Sequence, residues 1–385
     1  MRRVILATTA FLVMVALPDQ ARGQEDFTDP DNPLQIAGDN TSFGGVSAEF
    51  LEFGAGARGM ALGGAFSTIV DDVSAIHYNP AGLTFLDGPE VALTIMPYFA
   101  DTNYFWTGVA LPFSDGDFGI GFFLGRFGFG DQPVTTEADP NGDSGATYGV
   151  NEVVGGISFA HAFIDRFSAG ATLKFINDDL ATGSLGGASA TAFAFDFGVN
   201  FHSELGNRPI ALSFVVQNLG GGLQHSGNAL RFSDVDGSTA DPSVPDQRVD
   251  PAAANTATDN FPLPTQFRVG LAYDVVSSES SRWSLMADFV EPNNTNVKFG
   301  FGTEYAYGSL ASPVGVAVRG SYTTQPDNNL TGAIEASGEG SDGFAFGGGL
   351  YYRFAERYRL QFDYTYRSLG VLGGADVFSV TLGFD

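Results

Sequence analysis

Cysteine is absent from the 385 residues, so no disulfide framework, thiolate-held metal or thiol nucleophile is available. Basic residues are scarce: 18 Lys and Arg stand against 44 Asp and Glu, a formal net charge of -26. A polyanion of this kind repels nucleic acid, whose recognition needs a basic footprint, and this excludes DNA and RNA as partners. Long apolar runs are also lacking. The one at residues 4–17 is shorter than the ~20 residues a spanning helix needs. It follows Arg2 and Arg3 and precedes Pro18 and Ala21-Arg22-Gly23, the pattern of an export signal cleaved before Gln24. Cleavage would remove three Arg and one Asp and leave the remainder more acidic still.

What is abundant is glycine and phenylalanine, 51 and 36 residues, with only 16% charged. That mixture indicates many strands and turns rather than a helical enzyme. Large apolar residues alternate with small or polar ones from residue 88 onward. At residues 189–202, Thr191, Phe193, Phe195, Phe197, Val199 and Phe201 fall on one face. Ala190, Ala192, Ala194, Asp196, Gly198 and Asn200 fall on the other. Phe267, Val269, Leu271 and Tyr273 alternate in the same way with Arg268, Gly270, Ala272 and Asp274.

Such segments number fourteen, at residues 88–99, 103–113, 117–129, 146–163, 166–177, 188–203, 208–218, 264–276, 282–291, 296–307, 313–324, 342–354, 357–368 and 375–384. Linkers after even-numbered strands are short, whereas those after odd-numbered strands include the long ones at 130–145, 219–263 and 325–341. A soluble sandwich has no reason to sort loop lengths by parity; an outer-membrane barrel has short periplasmic turns and long external loops. The closed sheet also answers the demand that every backbone polar group in hydrocarbon be paired. The expectation is therefore an all-β, 14-stranded antiparallel transmembrane β-barrel in the outer membrane of a Gram-negative bacterium. Two further signs accord with it. The last strand presents Phe378, Val380, Leu382 and Phe384 on one face, ahead of a final Asp385. Tyr98, Tyr104, Trp106, Trp283, Tyr305 and Tyr307 stand near strand ends, where interfacial girdles form.

Residues 50–86 are not strand-like. The Gly-Ala-Arg-Gly-Met-Ala-Leu-Gly-Gly-Ala-Phe run from Gly56 to Phe66 is followed by Asp71-Asp72-Val73-Ser74-Ala75 and then Asn79-Pro80-Ala81-Gly82-Leu83. In order and spacing these resemble the FadL-like outer-membrane proteins, and within them the PorV/PorQ group, most strongly over residues 44–90. The resemblance implies a hatch at residues 24–87 that plugs the barrel of residues 88–385, with Asn79, Pro80 and Ala81 in its characteristic motif. In FadL-type members, hatch movement and an opening in the wall pass hydrophobic molecules. In PorV-type members, the barrel serves type IX secretion and receives an exported protein's C-terminal signal domain. The partners so implied are outer-membrane lipid, the barrel-assembly machinery, and either a hydrophobic small molecule or that signal domain.

Within the hatch, Arg58 is a lone cation among small residues. It is expected to pair with a lumen carboxylate such as Asp196, Glu304 or Asp363. Asp71 and Asp72 are expected to cap a short helix. Phe50, Phe53 and Phe66 are candidates for ligand contact, with plain packing the competing reading. The acidic stretches Asp139–Asp143 and Asp234–Asp236 do not match a calcium-loop spacing and are read as solvated loops. The four histidines, His77, His161, His202 and His225, are scattered, and no Ser-His-acid set converges by spacing. No cofactor motif is present, so a transport or binding protein is expected rather than an enzyme.

Overall fold

The computed structural model describes residues 45–137, 139–233, 253–255, 257–308, 313–325, 343–354 and 357–384. The expected export signal, the start of the expected hatch, the loop residues 326–341 and Asp234–Asp236 lie outside the described residues.

Fourteen strands close into one antiparallel barrel. In chain order they begin with β1 (Glu90–Pro97), β2 (Asn103–Phe113), β3 (Phe118–Pro133), β4 (Thr147–Ile164), β5 (Phe167–Gly183), β6 (Ser189–Leu205) and β7 (Arg208–Gly220). The long loop after β7 carries a small ribbon of β8 (Arg231–Ser233) and β9 (Ala253–Asn255). The wall resumes with β10 (Gln266–Ser277), β11 (Ser281–Pro292), β12 (Lys298–Tyr307), β13 (Val314–Thr324), β14 (Gly343–Phe354), β15 (Tyr358–Ser368) and β16 (Gly374–Phe384). Each strand pairs with its sequence neighbour, β7 pairs with β10, and β1 pairs with β16 to close the ring. Every expected strand is found. The largest difference is at β5, which runs on to Gly183 instead of ending at 177, because Asn177–Asp179 pair with Thr191–Ser189 of β6. No described helix is long and apolar enough to cross a membrane.

The alternation resolves into outside and inside. Phe193, Phe195 and Phe197 of β6 are outward and exposed, at 59, 45 and 51%, while Ala194, Asp196 and Asn200 are wholly buried. The same division holds on β15, where Leu360 and Phe362 face out and Gln361, Asp363 and Thr365 face in. An apolar belt around a ring with no free edge is what a hydrocarbon surround requires. Trp283, Tyr305 and Tyr307 are exposed on that outer surface, where a girdle was expected. Tyr98, Tyr104 and Trp106 are not: Tyr104 and Trp106 face the lumen, at 3 and 1% exposure, and Tyr98 is half-buried against Phe53 of the inner segment. Trp106 lies over Gly108, where an added Cβ would stand 2.5 Å from the indole, and it stacks on the inward ring of Phe123.

The lumen is occupied. Residues 45–89 run through it as helical turns at Glu49–Glu52, Ala57–Ala61, Ala75–Tyr78 and Pro80–Phe85, and their side chains form half of the buried apolar cluster. Small inward residues make the room. Gly119 and Gly121 abut Leu83 and Ile76, Gly300 and Gly302 abut Ala65, and Gly347 abuts Ala61. This is the reason the inward face of the strands is rich in Gly and Ala, whereas the outward face carries Phe and Leu.

Candidate functional site

The inner segment is bound to the wall by charge, by a glycine seat and by hydrogen bonds. Arg58 sits at the centre of the charged contact. Its Nε and Nη2 donate to the two Glu304 oxygens at 2.9 and 2.8 Å, and its Nη1 donates to Asp72 at 3.0 Å and to Asp71. Glu304 on β12 is shared with Arg319 of β13 at 2.5 Å, which also holds Asp363 of β15 at 2.5 Å and Tyr351 of β14. Asp71 is shared with Arg282 of β11, which reaches Asp274 of β10 at 3.1 Å. Burial pushes the Asp71 carboxyl up, but Arg58 and then Arg282 outweigh it and hold the group below its ordinary value. Of the three expected partners of Arg58, Glu304 binds it directly. Asp363 is reached only through Arg319, and Asp196 is paired instead with Lys174 at 2.7 Å. Asp72 also accepts the Ser74 backbone N–H at 2.9 Å, just ahead of the Ala75–Tyr78 turn, but that turn has no side-chain cap, and Asp71, also expected to cap, is taken up by Arg58 and Arg282. Phe66 lies beneath the Arg58 guanidinium, 4.9 Å from centroid to carbon, and packs on Tyr78.

Asn79, Pro80 and Ala81 form the second attachment, at the short-turn half of the barrel. Asn79 Oδ1 accepts from the Ala81 N–H at 3.1 Å. Its Nδ2 donates to the carbonyl of Ser67 at 2.9 Å and of Val199, on β6, at 3.3 Å. The wall opposite is glycine on two paired strands, Gly170 of β5 and Gly198 of β6. A Cβ on Gly198 would lie 2.1 Å from Asn79 Oδ1, and one on Gly170 would lie 2.5 Å from the Pro80 carbonyl carbon. The motif is thus a rigid foot resting in a two-glycine seat.

A cavity of about 680 Å³ opens at the other half, toward the long loops. Phe50 and Phe53 of the inner segment line it. Phe53 packs edge-on to Tyr104 and Phe127 and tilted to Tyr98, at 5.0 to 5.3 Å. Further walls are Met96, Leu180, Leu369 and Leu372. Of the candidate site residues named from sequence, Phe50 and Phe53 reach this cavity, as does Tyr98, which was expected in the outer girdle. Arg58, Phe66, Asn79, Pro80 and Ala81 lie deeper in the inner segment and do not line it. The cavity residues missed by sequence include Glu152 of β4 and Asp178 of β5. A carboxylate on the inward face of an alternating strand was the only signal for them.

The remaining acidic loop, Asp139 to Asp143, is a self-capped turn. Asp139 accepts the N–H groups of Ser144 and Asp143 at 2.8 and 2.9 Å, and these bonds hold its carboxyl below the usual range. Among the described residues no group of three or more His and acidic side chains is placed to hold a metal ion.

No family model and no curated relative matches the chain. Solved structures do. A CymD monoaromatic hydrocarbon channel superposes with a TM-score of 0.54 at 13% identity, over 86% of this chain and 97% of its own. The fold is FadL-like. The Pseudomonas putida toluene transporter TodX (TM-score 0.52, 13% identity) and the Ralstonia pickettii toluene transporter TbuX (0.52, 13%) match over the same shares of the two chains. The FadL-like barrel is therefore shared across almost the whole of those proteins. The PorV/PorQ resemblance rests on the sequence motifs of the inner segment alone.

Proposed function

We propose that this protein is a passive outer-membrane channel for hydrophobic small molecules, loaded from outside at the cavity under the long loops, with the inner segment as its hatch. The observation that carries the proposal is the cavity itself: a mostly apolar, aromatic-walled chamber at the long-loop end, floored by Phe50 and Phe53, above a lumen occupied by the inner segment. A wide water-filled barrel would serve polar solutes, but a plugged one with an apolar vestibule selects molecules that leave water readily. The FadL-like fold is shared with proteins described as hydrocarbon channels and toluene transporters, and this supports the same class of cargo. Because the lumen below the cavity is filled, cargo leaves by displacement of the hatch or sideways through the wall.

The test is uptake of 1-N-phenylnaphthylamine, a fluorescent hydrophobic probe that lipopolysaccharide excludes, by Gram-negative cells expressing the chain. Expression is expected to raise the initial rate several-fold, and Phe53→Asp, which puts a charge on the cavity floor, to return it to the background. A correctly folded, surface-located protein that leaves the rate unchanged would refute the channel. Co-purification of an exported protein's C-terminal domain together with that result would instead make the barrel a PorV-type secretion component.

A further inference from the structure

The cavity is apolar in its walls but not neutral. Four carboxylates line it, Glu49, Glu52, Glu152 and Asp178, against one cation, Arg367. Two of the four are already answered: Glu52 by Lys298 at 3.6 Å and by Asn294 at 2.7 Å, and Asp178 by His225, whose Nε2 stands 3.1 Å from Asp178 Oδ2. Glu49 is exposed to solvent.

Glu152 differs from these. It is 8% exposed, faces the cavity, and has no hydrogen bond or ion pair among the described residues. Its direct cross-strand partner is Asp178, also inward and only 2% exposed, whose Oδ1 is buried without a hydrogen-bond partner. Like charges directly opposite on neighbouring strands oppose pairing, and a buried carboxylate without a partner is costly. An arrangement with both faults is relieved by a proton on one carboxyl or, when a ligand is bound, by a cation placed between the two groups. Arg367 does not supply it: it stands on β15, five strands round the ring from β4, and makes no ion pair with Glu152. A metal ion is poorly served by two carboxylates without a third donor group. An organic ammonium suits the place better, since the carboxylate accepts its N–H groups while the rings of Phe53, Tyr98 and Phe127 take its hydrocarbon part and offer π faces to the charge.

We infer that the cavity selects hydrophobic amines, aromatic or aliphatic bodies carrying one ammonium that docks on Glu152. This rests on the uptake reading above and narrows it to a class of cargo. Neutral hydrocarbons would enter less tightly, and hydrophobic carboxylates would be disfavoured except near Arg367.

The test uses the full-length protein purified in detergent and three probes with one skeleton, 4-phenylbutylamine, 4-phenylbutanol and 4-phenylbutyrate, titrated by calorimetry. The amine is expected to bind about tenfold tighter than the alcohol, with the carboxylate weakest. Glu152→Gln is expected to bring the amine to within about twofold of the alcohol without altering the alcohol's affinity. Glu152→Asp should retain part of the preference. The Gln variant keeps the shape and removes a like-charge contact, so folding is not put at risk. Equal binding of amine and alcohol to the unaltered protein would overturn the inference and leave the channel standing. Tightest binding of the carboxylate, or a preference that survives Glu152→Gln, would also overturn it. Failure of all three probes to bind, together with no uptake of the naphthylamine, would overturn the channel as well.

Discussion

Replacing Gly198 with valine is expected to unseat the inner segment and make the barrel conduct ions. Gly198 needs no left-handed backbone; it is glycine because Asn79 Oδ1 lies where its Cβ would be, 2.1 Å away, with Pro80 Cδ at 3.0 Å. The obstruction is a carbonyl oxygen held by its own hydrogen bond to the Ala81 N–H, and it cannot swing aside without releasing that bond and the two made by Nδ2. Overpacking costs about 1–3 kcal/mol in such a place, and each lost bond about 1 kcal/mol more. The foot at residues 79–81 should therefore leave its seat while the outer belt, which faces lipid, keeps the strands paired. Single-channel recording in planar bilayers is expected to show ion conductance for Gly198→Val. Gly130→Val, where nothing lies within 4 Å of the added group, should remain silent. Adding Asn79→Ala removes the colliding oxygen and should restore part of the closure. A silent Gly198→Val barrel would mean that the seat carries no load.

Replacing Arg58 with methionine is expected to cost about 3–5 kcal/mol of stability, the range for breaking a buried ion pair from one side. The number follows from what is left behind. Arg58 touches Asp71, Asp72 and Glu304; without it Arg282 and Arg319 must answer those three and also Asp274 and Asp363. Urea unfolding in detergent, read as the midpoint at unchanged slope, measures the loss. Pairing Arg58→Met with Glu304→Gln should cost less than the sum of the two single changes, since each alone strands the other's charge. Strict additivity would show that the two residues, though 2.8 Å apart, are not energetically coupled.

How much of this was readable beforehand depends on whether a property is local to one strand. The faces of β6 and β15 followed from period-2 alternation, and the barrel followed from the sorting of long and short loops, because both are legible along the chain without knowing which residues meet. The partner of a lumen charge is not. Asp196 and Glu304 read alike in sequence, yet the register of β5 against β6 puts Thr172 opposite Asp196, two residues from the Lys174 that pairs with it, while Glu304 stands beside Arg319 and under Arg58. Tyr104 and Trp106 were assigned to the outer girdle from their height on the strand. The better guide was their company, since Gly108 and Ala110 share their face and only the lumen side needs such small neighbours. Glu152 and Asp178 gained meaning only when the register placed them opposite each other.

The seam between β1 and β16 is tied to the inner segment as well as to itself. The Ala57 N–H donates to Ser379 of β16 at 2.7 Å across 322 residues of sequence, and Ser379 also bonds Thr94 of β1. The Val73 N–H bonds Glu90 of β1 at 2.8 Å, and Thr365 of β15 donates to the Ala57 carbonyl at 2.6 Å. The inner segment thus grips both banks of the joint that has to close when first and last strands meet. Its width matches the circumference: one hairpin fewer would leave no room for it, and one more would leave its polar groups without partners. The joint between first and last strands is thus held from within, by a segment that contributes no strand.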